Sequence, residues 1–208
     1  MKIRLCSFLC VVVGLALGSV MSAAPPGPAL DKLAEKWVRD TLKTMTLDEK
    51  VGQLIATSID AAYTSTDSEI YEKKLRLVRD FHVGAVHVFG GSEPIPQALL
   101  NPSYGGSSIS RKGDPFVAAS FFNHLQQAAR IPLLTTADFE GGSAYILNGG
   151  TRLPRAMAIG ATRDPQLAYK AGKLVAGEAR AVGVTIDFYP VVDVNNNPRN
   201  PIINIRSF

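Results

Sequence analysis

The chain has 208 residues, 46% of them hydrophobic and 19% charged, with a formal net charge of +4 at pH 7. No run of Lys and Arg exceeds two residues, which excludes a nucleic-acid-binding stripe and a basic membrane-binding face. Both cysteines, Cys6 and Cys10, fall in the first 24 residues, so the remainder offers no disulfide and no cysteine metal site.

Residues 1–24 carry a charged start at Lys2 and Arg4, an apolar run from Leu5 to Leu17, and the small residues Ser22-Ala23-Ala24. This order predicts a secretory signal, and the domain proper is then residues 25–208. The apolar run is shorter than the ~20 residues that cross ~30 Å of hydrocarbon, so no integral membrane segment is expected once it is removed. The expected location is outside the cytoplasm, periplasmic or secreted.

After a short Pro-rich linker, Pro25 to Pro28, the spacing predicts a first amphipathic helix over Leu30–Lys43, with Trp37, Leu33 and Leu42 packing as ordinary helix contacts. Thr46-Leu47-Asp48-Glu49 fits a capping box that opens a second helix toward an apolar segment near Ile55–Ile59. Thr66-Asp67-Ser68-Glu69 is another start signal, followed by apolar residues at helical spacing through Phe81. Gly84–Phe89 predicts a buried strand, and a long polar loop follows through Asp114. Pro115 suits the first turn of a helix to Ala129, and Ile131–Ala137 predicts the third strand. Asp164-Pro165 starts a further helix with Leu167, Ala171, Leu174, Val175 and Val182 on its buried side, and Val184–Tyr189 predicts a fourth strand.

Strands and helices in alternation argue for a parallel α/β sheet with crossover helices. Apolar strands of this kind are expected to be buried on both faces. Four strands make about the first half of a parallel (β/α)8 TIM-type barrel, which runs to ~250 residues. A doubly wound open sheet is the competing architecture, but it calls for a G-x-G-x-x-G fingerprint, and none is present.

Two polar segments follow predicted strands. Asp138-Phe139-Glu140-Gly141-Gly142 closes the third, with two carboxylates two residues apart that would point the same way, toward the barrel mouth. Carboxylates suit hydroxyl-rich ligands, and a glycine pair lets the backbone turn close to one. After the fourth strand, residues 190–208 hold three prolines, five asparagines and two arginines. Arg206 there is a fixed cation with planar donors, able to hold vicinal hydroxyls. Asp193, Asn195 and Asn197 have calcium-loop spacing, yet Pro198 stands where glycine is needed, so no metal is expected and Asp193 should tie down its own loop. His82, His87 and His124 lack carboxylate neighbours in sequence and read as structural. Asp187, inside the last strand, calls for a buried partner and is expected to pair with a basic group.

These motifs resemble glycoside hydrolase family 3, in its bacterial β-N-acetylhexosaminidase branch. Four segments carry the resemblance: Met45–Leu54, Asp138–Gly142, Leu153–Thr162 and Pro201–Phe208. The resemblance implies a (β/α)8 barrel that removes a non-reducing β-linked sugar with retention, without a cofactor. It places substrate binding on Asp138 and Arg206, with Glu140 and Asp193 in support. The family's lysine-histidine pair and nucleophilic aspartate have no counterpart up to Phe208, so no catalytic residue is expected in this chain and it should not turn over substrate alone. Relatives carry an arginine just beyond the glycine pair, where this chain has Ser143–Leu147; Arg152 is the candidate to replace it. The expected activity is release of β-linked N-acetylglucosamine from peptidoglycan fragments or chitooligosaccharides. A β-glucosidase of the same family, or a non-catalytic sugar-binding barrel, is the alternative.

Overall fold

The computed structural model describes residues 30–94 and 108–208. The predicted signal, with Cys6 and Cys10, lies outside them. The chain divides into two compact units, Met1–Thr44 and Met45–Phe208. In the first, helix α1 spans Lys32–Thr44 and buries no residue, and Trp37, expected in packing, is 53% exposed.

The second unit opens with the anticipated capping box. The Glu49 amide donates to Thr46 Oγ1 at 3.2 Å, and Glu49 Oε2 accepts from the Thr46 amide at 2.7 Å, starting the short helix α2, Leu47–Gly52. Strand β1 follows at Ala56–Asp60 and helix α3 at Glu69–Arg79, capped by Ser68, whose hydroxyl accepts from the Tyr71 amide. Strand β2 is Ala85–Phe89. The expected polar loop is in part a hairpin, with β3, Gly91–Pro94, pairing antiparallel to β4, Ser108–Arg111. Helix α4 runs Pro115–Ala128 from an Asp114 cap, and strand β5 is Leu134–Ala137. Helix α5 spans Ala156–Ala161 and α6 spans Pro165–Ala181 from an Asp164 cap. Strand β6 is Ile186–Asp187.

The four main strands pair in parallel in the order β1-β2-β5-β6. Each strand sits beside the one before it in the sheet, with no reversal of order. A doubly wound sheet needs such a reversal, whereas a barrel adds its strands in one direction. The architecture is therefore α/β, a stretch of (β/α) barrel.

Burial is two-sided on β5, where Thr135, Thr136 and Ala137 are all buried, as expected, whereas β2 is sealed on one face only. Val86 and Val88 of β2, Ile59 of β1 and Ala137 of β5 are sealed in one cluster with Val78, Phe122, Leu125, Val175 and Ala179, and Thr135 of β5 is buried as well. On the other face β2 leaves Ala85 and His87 half-buried and Phe89 exposed. That face carries Ser58, His87 and Thr136 in register, polar side chains where an oily layer was expected. The β5–β6 junction is locked by paired threonines: Thr135 Oγ1 donates to the Gly183 carbonyl at 2.6 Å and Thr185 Oγ1 to the Thr135 carbonyl at 3.1 Å.

Candidate functional site

The site lies at the C-terminal ends of β2, β5 and β6, where strand order brings three loops together. Asp138 directly follows β5, and its side chain is about half exposed. Its neighbour is His87 of β2, whose Nε2 lies 3.8 Å from Asp138 Oδ2. The sheet register puts His87 opposite Thr136, and Nδ1 meets Thr136 Oγ1 at 2.8 Å. Phe89 and Phe188 cover the imidazole, the latter stacked at 6.0 Å between ring centres. Burial pushes the His87 pKa below its ordinary value, against the opposing pull of Asp138. The sequence reading made His87 structural; the fold sets it against the leading candidate carboxylate.

Glu140 meets different partners from Asp138, although the two were expected to face the same way. Its side chain is largely buried, and both its oxygens accept from Arg206 Nε, at 2.9 and 3.0 Å. Arg155 Nη1 donates to the Glu140 carbonyl at 3.0 Å and forms an ion pair with Glu140 Oε1, also at 3.0 Å. Glu140 is thus a clamp between two guanidiniums, and a carboxylate so engaged is a poor nucleophile. The clamp holds the Arg206 pKa above its ordinary value through the hydrogen bond and charge of Glu140, with a further pull from Asp138. Arg155 was not singled out from the sequence. Its signal was its place in the Leu153–Thr162 segment, just before α5.

Arg152 sits elsewhere. Its guanidinium lies over the Tyr145 ring, 4.8 Å from the centre, and Arg155 lies over the same ring at 4.2 Å. Arg152, chiefly by hydrogen bonding, holds the Tyr145 hydroxyl below its usual pKa. The glycine pair shapes this loop: Gly141 and Gly142 have φ of +84° and +103°, and a Cβ on Gly142 would stand 2.2 Å from the Thr151 carbonyl oxygen. Glu178 of α6 then fastens the returning strand of the loop, accepting from the Thr151 amide at 3.1 Å, from Thr151 Oγ1 at 2.6 Å and from the Ser143 hydroxyl.

Asp187 has no basic partner among the described residues, contrary to expectation. Its Oδ1 accepts from the Phe139 amide at 2.9 Å, pinning the turn that carries Asp138 and Glu140. It also lines an apolar cavity of about 210 Å³ with Val175, Tyr189 and Phe208. Burial there raises its pKa to about 6; the Phe139 amide opposes the rise and Asp138 adds to it. Asp193 is exposed and its side chain makes no hydrogen bond among the described residues, so it does not tie the loop as expected. Asparagines do so instead: Asn195 accepts from the Asn197 amide, Asn197 from Arg199, and Asn200 from Ile202 and Ile203. The Asp193 carbonyl accepts from the Phe208 amide, which closes the loop on itself. No group of three or more His, Cys, Asp or Glu side chains suited to a metal ion occurs among the described residues.

A parallel α/β sheet with carboxylates and guanidiniums gathered at its strand ends defines a barrel of the kind that binds polar small molecules there. The N-terminal domain of glycosyl hydrolase family 3 matches residues 46–208, and the chain belongs to that family. It is 35% identical over 188 residues to the β-N-acetylglucosaminidase/β-glucosidase of Cellulomonas fimi, covering 90% of this chain and 28% of that protein. It is 39% identical over 99 residues to β-hexosaminidase A of Pseudoalteromonas piscicida, covering 43% and 17%. Among solved structures, the β-glucoside phosphorylase BglX bound to 2FGlc superposes with a TM-score of 0.63 at 29% identity, covering 85% of this chain and 27% of that one. The chain therefore spans about a quarter of the length of relatives it matches along most of its own length.

Proposed function

We propose that this chain is a sugar-binding part of an exported glycosidase that releases non-reducing β-linked N-acetylglucosamine, from peptidoglycan fragments or chitooligosaccharides. The Cellulomonas fimi relative, named for both β-N-acetylglucosaminidase and β-glucosidase activity, supports a glycosidase over 90% of this chain, and the β-hexosaminidase of Pseudoalteromonas piscicida favours the N-acetylated sugar. The site geometry agrees with it: an exposed carboxylate, Asp138, stands at the mouth beside a guanidinium, Arg206, already oriented by Glu140. Asp138 accepts hydrogen bonds from two ring hydroxyls. Arg206 adds a fixed positive charge and donors for a neighbouring oxygen, and Arg155 keeps Glu140 in place.

Retaining hydrolysis needs a nucleophilic carboxylate and a proton donor, ordinarily ~5–5.5 Å apart across the glycosidic bond. Neither role falls to these residues. Asp138 is assigned to binding, Glu140 is bound to two arginines, and Asp187 is turned toward the Phe139 amide. In this reading the full-length protein supplies both groups, and the 208-residue chain alone does not turn over substrate.

The test is hydrolysis by the full-length protein of p-nitrophenyl N-acetyl-β-glucosaminide against the β-glucoside. A preference for the first by an order of magnitude or more supports the reading, and turnover of neither contradicts it. The second reading is action on β-glucosides, favoured by the 85% coverage of the β-glucoside phosphorylase fold. It predicts the reverse preference.

A further inference from the structure

His87 Nε2 is the one buried side-chain nitrogen or oxygen without a hydrogen-bond partner among the described residues. A buried polar atom is costly to leave unpaired, so this orphan at the mouth of the candidate site calls for a partner, and a ligand hydroxyl can supply it. Its orientation is held on every side. The Nδ1 contact to Thr136 Oγ1 fixes the ring plane from β5, and Phe89 and Phe188 cover it.

The tautomer follows from electrostatics. If Thr136 donates its hydroxyl hydrogen to Nδ1, the proton sits on Nε2 and faces the Asp138 carboxylate. The opposite tautomer would aim a lone pair at that carboxylate. Burial favours the neutral ring, in which one nitrogen accepts and the other donates. The 3.8 Å between Nε2 and Asp138 Oδ2 is too long for a direct hydrogen bond. It suits one intervening oxygen: an atom about 2.8 Å from both would see them at roughly 85°. A hydroxyl both donates and accepts, so it can give its hydrogen to Asp138 and receive one from His87.

We infer that His87 is a substrate-binding residue: its Nε2–H and the Asp138 carboxylate grip a single sugar hydroxyl between β2 and β5. The inference rests on the reading of Asp138 as a sugar-binding carboxylate. It makes His87 a determinant of which hydroxyl pattern the first subsite accepts.

The experiment compares H87N, H87Q and D138A in the full-length protein, on p-nitrophenyl N-acetyl-β-glucosaminide and its 3-, 4- and 6-deoxy analogues. In H87N the amide can reach Thr136 but not the Nε2 position, whereas the longer side chain of H87Q restores a donor there. The expected result is a roughly tenfold loss of kcat/KM in H87N, partly rescued in H87Q. One deoxy analogue should be turned over equally by wild type and H87N, because the gripped hydroxyl is already missing. Equal losses by H87N on all four substrates, or no loss, would overturn the inference while a crippled D138A upholds the reading beneath it. An unaffected D138A would overturn that reading itself. Thermal unfolding of H87N within a few degrees of wild type shows that the loss belongs to binding; a collapse of stability in both His87 variants would assign the residue to folding and defeat the proposal.

Discussion

Partners 15 to 66 residues distant in the chain place the side chains around Asp138, and each contact has a measurable consequence. Asp187 is the clearest case, because an apolar cavity surrounds it on one side and the Phe139 amide meets it on the other. Its pKa of about 6 lies above the ordinary 3.8, so the folded state binds this proton more tightly than the unfolded chain does. The corresponding stability is fully present below about pH 4 and is lost as pH rises through about 6. The whole shift is worth about 3 kcal/mol as an upper bound, and solvent at the half-buried carboxylate lowers that. D187N keeps an acceptor for the Phe139 amide but cannot ionise. Melting curves at pH 4 and pH 7.5 should show the variant losing less stability than wild type between the two; parallel losses would contradict the assignment. E140Q makes a second prediction at this scale. It weakens the clamp on Arg206 and Arg155, so KM should rise several-fold for any β-glycoside with a smaller change in kcat, as steady-state kinetics would show.

Among elements, the local signals and the long-range ones divide cleanly. The Thr46–Glu49 box and the Asp164 cap before Pro165 are contacts over two or three residues and were legible from residue type and spacing; at the helix that Pro115 announced, the structure adds the Asp114 cap. T46A should cost about 1 kcal/mol in a denaturant titration, since it orphans a helix N–H. The β3–β4 hairpin was missed because its residues are polar and its pairing closes a long connection, with no period-two apolar pattern to announce it. The loop after Gly142 depends on an element far along the chain, Glu178 of α6. Burial alone would raise the Glu178 pKa, and the Ser143 and Thr151 donors outweigh it. E178A leaves those donors unpaired, which should cost about 1–3 kcal/mol and loosen the Ser143–Thr151 loop, visible as faster amide exchange there. Unchanged exchange would show that the loop holds itself.

For the whole molecule, the alternation of strands and helices was enough to read a parallel sheet, because buried strands need apolar side chains whatever their neighbours. The order β1-β2-β5-β6 then distinguished a barrel from a doubly wound sheet. Asp138 and Arg206 were legible as chemistry-bearing residues, each in a polar segment after an apolar strand. What surrounds them was not. His87 against Asp138, Arg155 against Glu140 and Asp187 against the Phe139 amide are products of register and loop return, and none leaves a mark on neighbouring positions. The central claim, that Asp138 and Arg206 address one sugar ring, is tested most directly by a crystal structure of the full-length protein with N-acetylglucosamine bound. The account predicts the ring at the ends of β2 and β5, with Asp138 and Arg206 both within hydrogen-bond distance of its oxygens. A sugar seated away from these strand ends, or touched by only one of the two, would contradict it.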